Sequence, residues 1–87
     1  MSAEKVKIKL TPKQNSVIYC LQNGWVLITD MMMSGAIVGN NKLQYNISSG
    51  LFWRLVNMNL IYQKIDNGFD YTLTELGKNC ITKKVDF

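Results

Sequence analysis

The sequence predicts a single α+β domain in which three helices are interleaved with β-hairpins. Three stretches carry that prediction. Thr11-Pro12 opens and Asn23-Gly24 closes a helical run; Leu51, Phe52, Leu55 and Val56 recur at helical spacing behind Ser48; two alternating runs flank Asn67-Gly68 and lead into a Thr-headed helix. The chain has 87 residues, room for one domain, and its 47% apolar content suits a packed core rather than a disordered chain.

The N-terminal arm, residues 1–9, alternates lysine with valine and isoleucine over residues 5–9, the pattern of a short edge strand. The body of the domain, 10–82, starts with a helix over about 12–23. Thr11 is its N-cap, Pro12 fills the first helical position without wasting an N–H, and Gly24 takes the left-handed residue that ends it. Val17, Ile18 and Leu21 form its apolar face, with Gln14 and Gln22 placed elsewhere.

An extra hairpin is expected within residues 25–45. Trp25 to Thr29 is a β-rich run, and Ala36–Val38 and Lys42–Tyr45 read as strands around Gly39-Asn40-Asn41. The competing reading is a helix capped by Asp30 and running to Val38; it would hold Ser34-Gly35 in its middle, at a cost of about 1 kcal/mol for the glycine. Ser48 then caps a helix over about 49–58, and Asn59 takes a left-handed cap. A hairpin spans about 61–73 with a type I′ reversal at Asn67-Gly68, and Thr74 caps a last helix over about 75–82, with Leu76 and Cys80 turned inward. Residues 83–87 are a tail.

Composition narrows function. The net charge is +4, from ten cations against six acids, which is compatible with a phosphate backbone as partner. The chain has no histidine, so zinc sites of Cys/His type, Ser-His or Cys-His nucleophiles and the commonest general base are excluded. No phosphate-loop glycine pattern is present, and Asp66 and Asp70 flank an exposed turn with nothing to perturb them. The expectation is a non-enzyme with no cofactor and no metal. The apolar stretches are too short to span a bilayer and the first ten residues lack the apolar block of a secretory signal, which points to a cytoplasmic protein. Cys20 and Cys80, each beside apolar neighbours, read as small buried hydrophobes.

Three segments in order, LTPKQNSVIYCLQNG, ISSGLFWRLVNMNLI and YQKIDNGFDYTLTELGK, together resemble the winged-helix superfamily over residues 10–82. The order is similar to that of small MarR- and PadR-like regulators, with Asn59 where a glycine usually precedes the Leu60-Ile61 helix end. Residues 25–46 depart from a regular helix-turn-helix. They look more like the small stand-alone winged-helix-like proteins of phages and mobile elements, in which a hairpin replaces the supporting helix. The resemblance implies a DNA-binding transcriptional regulator that uses the 48–58 helix on duplex DNA and the 61–73 hairpin as a wing.

For that role Arg54, the only arginine, is the first candidate for a base contact, because its guanidinium can bridge guanine O6 and N7. Ser48, Ser49 and Asn57 can bond phosphate or base edges, and Lys13, Lys42 and Lys64 can neutralise phosphates. Trp53 fits either a contact patch beside Arg54 or a buried packing role. Asp66 and Asp70 near the wing tip argue against a wing that touches phosphate. The alternative is a protein-binding adaptor or inhibitor that uses the Trp53 face or the flexible Met31 to Met33 cluster, and a homodimer is compatible with either reading.

Overall fold

A computed structural model describes residues 7–29, 35–65 and 68–85. In chain order they form α1 (Pro12–Gln22), β1 (Val26–Thr29), β2 (Gly35–Gly39), β3 (Gln44–Ser48), α2 (Ser49–Asn57), β4 (Ile61–Gln63), β5 (Asp70–Leu73) and α3 (Glu75–Asn79). The strands make one antiparallel sheet in the order β3-β2-β1-β5-β4. Residues 25–48 therefore contain strands, as the turn chemistry predicts. Asp30 and the Met31 to Met33 cluster lie outside the described residues, as do Asp66 and Asn67.

α1 begins as the sequence dictates. The Thr11 hydroxyl accepts from the Gln14 N–H (3.2 Å), and the Gln14 side chain accepts in return from the Thr11 N–H (3.0 Å), a reciprocal capping box. Gln14 is consequently buried, not turned away from the core. Gln22 also faces in: its amide donates to the carbonyls of Gly77 (3.0 Å) and Cys80 (2.7 Å), and its oxygen accepts from the Thr82 hydroxyl (2.7 Å). Gly24, at φ +90°, turns the chain into β1.

The helices cover one face of the sheet. α1 lies over β1, β2 and β5, while α2 carries the chain from the β3 edge to the β4 edge. Leu27, Val38, Ile61, Tyr71 and Leu73 point into the resulting core and meet Val17, Ile18, Phe52, Leu55 and Leu60. The Phe52 ring packs edge-on against Tyr71, centroids 4.7 Å apart. The opposite face stays open, so Val26, Ile28, Ile37 and Tyr62 are each between 43% and 51% exposed.

Several boundaries differ from the sequence expectation. β3 starts at Gln44 rather than Lys42, because the Asn40 side chain accepts from the N–H groups of both Lys42 and Leu43 (2.8 Å each) and holds them in the turn. It then runs to Ser48, which is at once the last residue of β3 and the N-cap of α2, bonded to the Leu51 N–H at 3.1 Å. In the second hairpin a two-residue reversal at Asn67-Gly68 would set Gln63 opposite Thr72. Gln63 instead faces Tyr71, the Gly68 N–H donates to the Ile65 carbonyl (2.8 Å), and Gly68 does not adopt left-handed φ.

α3 stops at Asn79, short of Thr82, since Cys80 is extended and its carbonyl is drawn to Gln22. Lys7 to Leu10 are irregular rather than strand. Lys83 is fastened to α1, giving its N–H to, and accepting through its carbonyl from, the Asn15 side-chain amide (2.8 and 3.0 Å).

Candidate functional site

Antiparallel register fixes which ends of the molecule meet. α1 and α2 both start at the sheet end where β3 finishes, and the C-terminal segment returns there along α1 through the Asn15–Lys83 bonds. That end gathers Lys13, Ser48 and Val85 around one groove.

From its N-cap onward α2 sorts its side chains cleanly. Phe52 and Leu55 are fully buried, Leu51 and Val56 partly so, and Trp53, Arg54 and Asn57 lie on the outward face. Trp53 is 40% exposed, with its ring edge-on to Phe52 at 5.0 Å, so one side packs while the other meets solvent. Arg54 and Asn57 form no side-chain hydrogen bond or ion pair among the described residues. α2 itself carries no carboxylate.

The sequence-nominated residues divide into two groups. Trp53, Arg54 and Asn57 share the α2 face, and Ser49, partly buried, begins the same helix. Lys13 is exposed on the first turn of α1 and lines the groove with Ser48, whose hydroxyl is occupied as a cap. Lys42 belongs to the β2–β3 turn, at the other end of β3 from Ser48 and roughly 15–20 Å away at the rise of an extended chain. Lys64 follows Tyr62 in alternation and falls on the open face of the sheet, across from Asp70, which is a strand residue beside Ile28 rather than part of a turn tip. The structure thus joins Arg54, Trp53 and Asn57, leaves Lys13 and Ser49 at the start of that surface, and separates Lys42 and Lys64 from it.

The groove encloses ≈ 630 Å³ between α1 and β3. Val17, Cys20, Val38, Ile47 and Leu51 make its floor, and Lys13, Ser16, Asn46 and Ser48 its polar rim, with no carboxylate in the lining. Tyr45 continues the wall and stacks on Trp25, rings 10° from parallel and 5.9 Å apart. Sequence reasoning passed over this groove, because α1 and β3 meet only through the register of β1, β2 and β3. Burial pushes the Cys20 thiol up to about 11 and also raises Cys80, offset in part by a hydrogen bond from the Ile8 backbone. Both cysteines are free and buried, so neither is a nucleophile at neutral pH.

A smaller depression of ≈ 350 Å³ opens near Thr29, Gly35 and Asn46. Thr29 is 5% exposed and its Oγ1 has no partner among the described residues, an omission worth about 1–3 kcal/mol against folding. No group of three metal-ligating side chains occurs among the described residues, and no helix there is long and apolar enough to cross a membrane. No protein-family model matches the chain, and neither a curated protein nor a solved structure is significantly similar to it.

Proposed function

We propose that the domain binds duplex DNA through the outward face of α2, in the manner of a small transcriptional regulator. The observation that carries this reading is the face itself: Trp53, Arg54 and Asn57 side by side, with the polar groups of Arg54 and Asn57 uncommitted to other described residues and no acid on the helix. A guanidinium and an amide on one helix face are the groups that read base edges, while Lys13 and the backbone of Ser49 at the helix start suit phosphate. The strand order β1-β5-β4, with α2 entering β4 directly, is compatible with a winged-helix arrangement and adds support. The chain's net charge of +4 is compatible with a phosphate backbone as partner. The β4–β5 hairpin is architecture in this reading, since its Lys64 lies on the open sheet face.

Fluorescence anisotropy with a mixed-sequence duplex is the direct test. Binding is expected at low salt and should weaken as salt rises, with a slope near −0.9 for each neutralised phosphate, so about −1 from the Lys13 contact of each bound domain. Arg54→Ala should cost about tenfold in affinity. Absence of binding to any duplex at low salt removes the reading.

A further inference from the structure

β3 forms one edge of the sheet, and no described strand lies beyond it. The Asn40 N–H donates to the Leu43 carbonyl at 2.8 Å, so the 40/43 pair is a hydrogen-bonded one. Antiparallel pairs alternate, which makes 38/45 and 36/47 bonded as well and leaves 39/44, 37/46 and 35/48 unbonded. The N–H and C=O groups of Gln44 and Asn46, and the N–H of Ser48, therefore point away from β2.

Edge strands are normally blunted by brevity, lysine or proline. The opposite edge, β4, has three residues and is followed by Lys64. β3 has five, Gln-Tyr-Asn-Ile-Ser, with neither charge nor proline. Polar and apolar residues alternate in it symmetrically about Asn46. Gln44, Asn46 and Ser48 pair with open-face positions of β2, while Tyr45 and Ile47 lie on the helix side and line the ≈ 630 Å³ groove. In polarity the strand reads the same in both directions.

We infer that β3 pairs antiparallel with β3 of a second copy, about a two-fold axis that passes through Asn46 perpendicular to the sheet. This register meets two separate conditions. Outward-pointing backbone groups oppose one another, Asn46 with its own equivalent and Gln44 with the partner's Ser48. Side chains also match: Tyr45 falls opposite the partner's Ile47, an aromatic beside a β-branched residue, and amides and hydroxyls meet on the open face. A one-residue shift sets apolar against polar, and a two-residue shift leaves part of β3 unpaired or against the Asn40 turn. Because the edge is uncharged and is its own complement, it suits a second copy.

The helix layer leaves room for this. α1 stands over β1, β2 and β5, so the helix side of β3 is groove, and the grooves of the two copies merge above the seam. Lys13 lies beside Ser48 in each chain, so the two lysines fall at opposite ends of the pairing, roughly 13 Å apart at the rise of a strand. The pairing uses the β3 edge and nothing of the outward face of α2, so it stands independently of duplex binding. Five paired residues a side are few beside the roughly 20–30 of a standard interface, so a dissociation constant of about 10–100 µM is expected.

Sedimentation equilibrium of the full chain up to about 1 mM should show a reversible dimer, with the Gln44 and Asn46 amides gaining exchange protection as concentration rises. Asn46→Pro removes an N–H that makes no bond to β2, so the fold should persist while association is lost. Residue 46 faces its equivalent across the axis, so Asn46→Lys and Asn46→Asp should each weaken the homodimer about threefold or more. Mixed together, these two variants should associate at least about tenfold more tightly than either does alone.

A chain that stays monomeric at about 1 mM overturns the proposal, as does a dimer retained by a folded Asn46→Pro variant. Should that variant melt out, the lysine–aspartate mixture decides: association no tighter than in the separate variants overturns the proposal, and recovery upholds it.

Discussion

The two hairpins that flank β1 are held by opposite means. β2–β3 pairs over five residue positions, and its turn is stapled by the Asn40 side chain, yet of β3 only Ile47 is even partly buried. β4–β5 pairs over three positions but drives Ile61, Tyr71 and Leu73 into the core under Phe52. The first hairpin is ladder-rich and covered only along β2, through Ala36 and Val38; the second is ladder-poor and buries residues of both its strands. Hydrogen bonds traded with water contribute little net stability each, whereas buried apolar side chains contribute several times more. The second hairpin should therefore anchor the domain, leaving the first free to serve as surface.

The largest expected effect tests that ranking directly. Leu73→Ala, at 5% exposure, should destabilise by about 2–5 kcal/mol in urea unfolding, and Ile47→Ala by well under half as much. Equal losses would break the contrast.

A middle-sized effect concerns Cys20, which sits under the first hairpin. An unfolded chain ionises this thiol near its ordinary value of 9.0, while the folded one holds its proton to about 11. Above pH 9 the unfolded state thus binds fewer protons than the native state, and stability falls as pH climbs from 9 through 11, by roughly 2–3 kcal/mol. Urea midpoints measured across that range should fall less steeply for Cys20→Ala than for the wild type. Identical slopes would mean that water reaches the thiol through the groove.

The smallest is Asn40→Ala, which removes an acceptor for two N–H groups in an exposed turn. A loss of about 1 kcal/mol is expected, with Lys42 released from the turn. A larger loss would show that turn closure, not core burial, governs the first hairpin.

Much of this architecture could be read from residues alone, and the misses have physical causes. Thr11-Pro12, Ser48 and Thr74 announced their helices because each cap is a local bond, between residues three apart. Asn59 takes left-handed φ (+62°) as its position after α2 suggests. The start of β3 was misplaced because the alternation from Lys42 to Tyr45 looks extended until the Asn40 carboxamide is seen to claim Lys42 and Leu43. The Asn67-Gly68 dipeptide suggested a tight reversal, but the inward set Ile61, Tyr71 and Leu73 fixes the register from the core side, and a one-residue shift follows. α3 ends early for a non-local reason, the Gln22 amide some 55 residues upstream. At the candidate site, helical spacing sufficed to group Trp53, Arg54 and Asn57, whereas separating Lys42 and Lys64 from them required knowing the faces and ends of the sheet.

The Gln22 amide has a kinetic consequence. Its partners, Gly77, Cys80 and Thr82, lie 55 to 60 positions later, and the Asn15–Lys83 pair spans 68. Closing loops of that length costs entropy before any contact rewards it. A growing chain would hold α1 with its inward-facing amide unpartnered until residues 77–82 are available, so these polar contacts are expected to form late in folding.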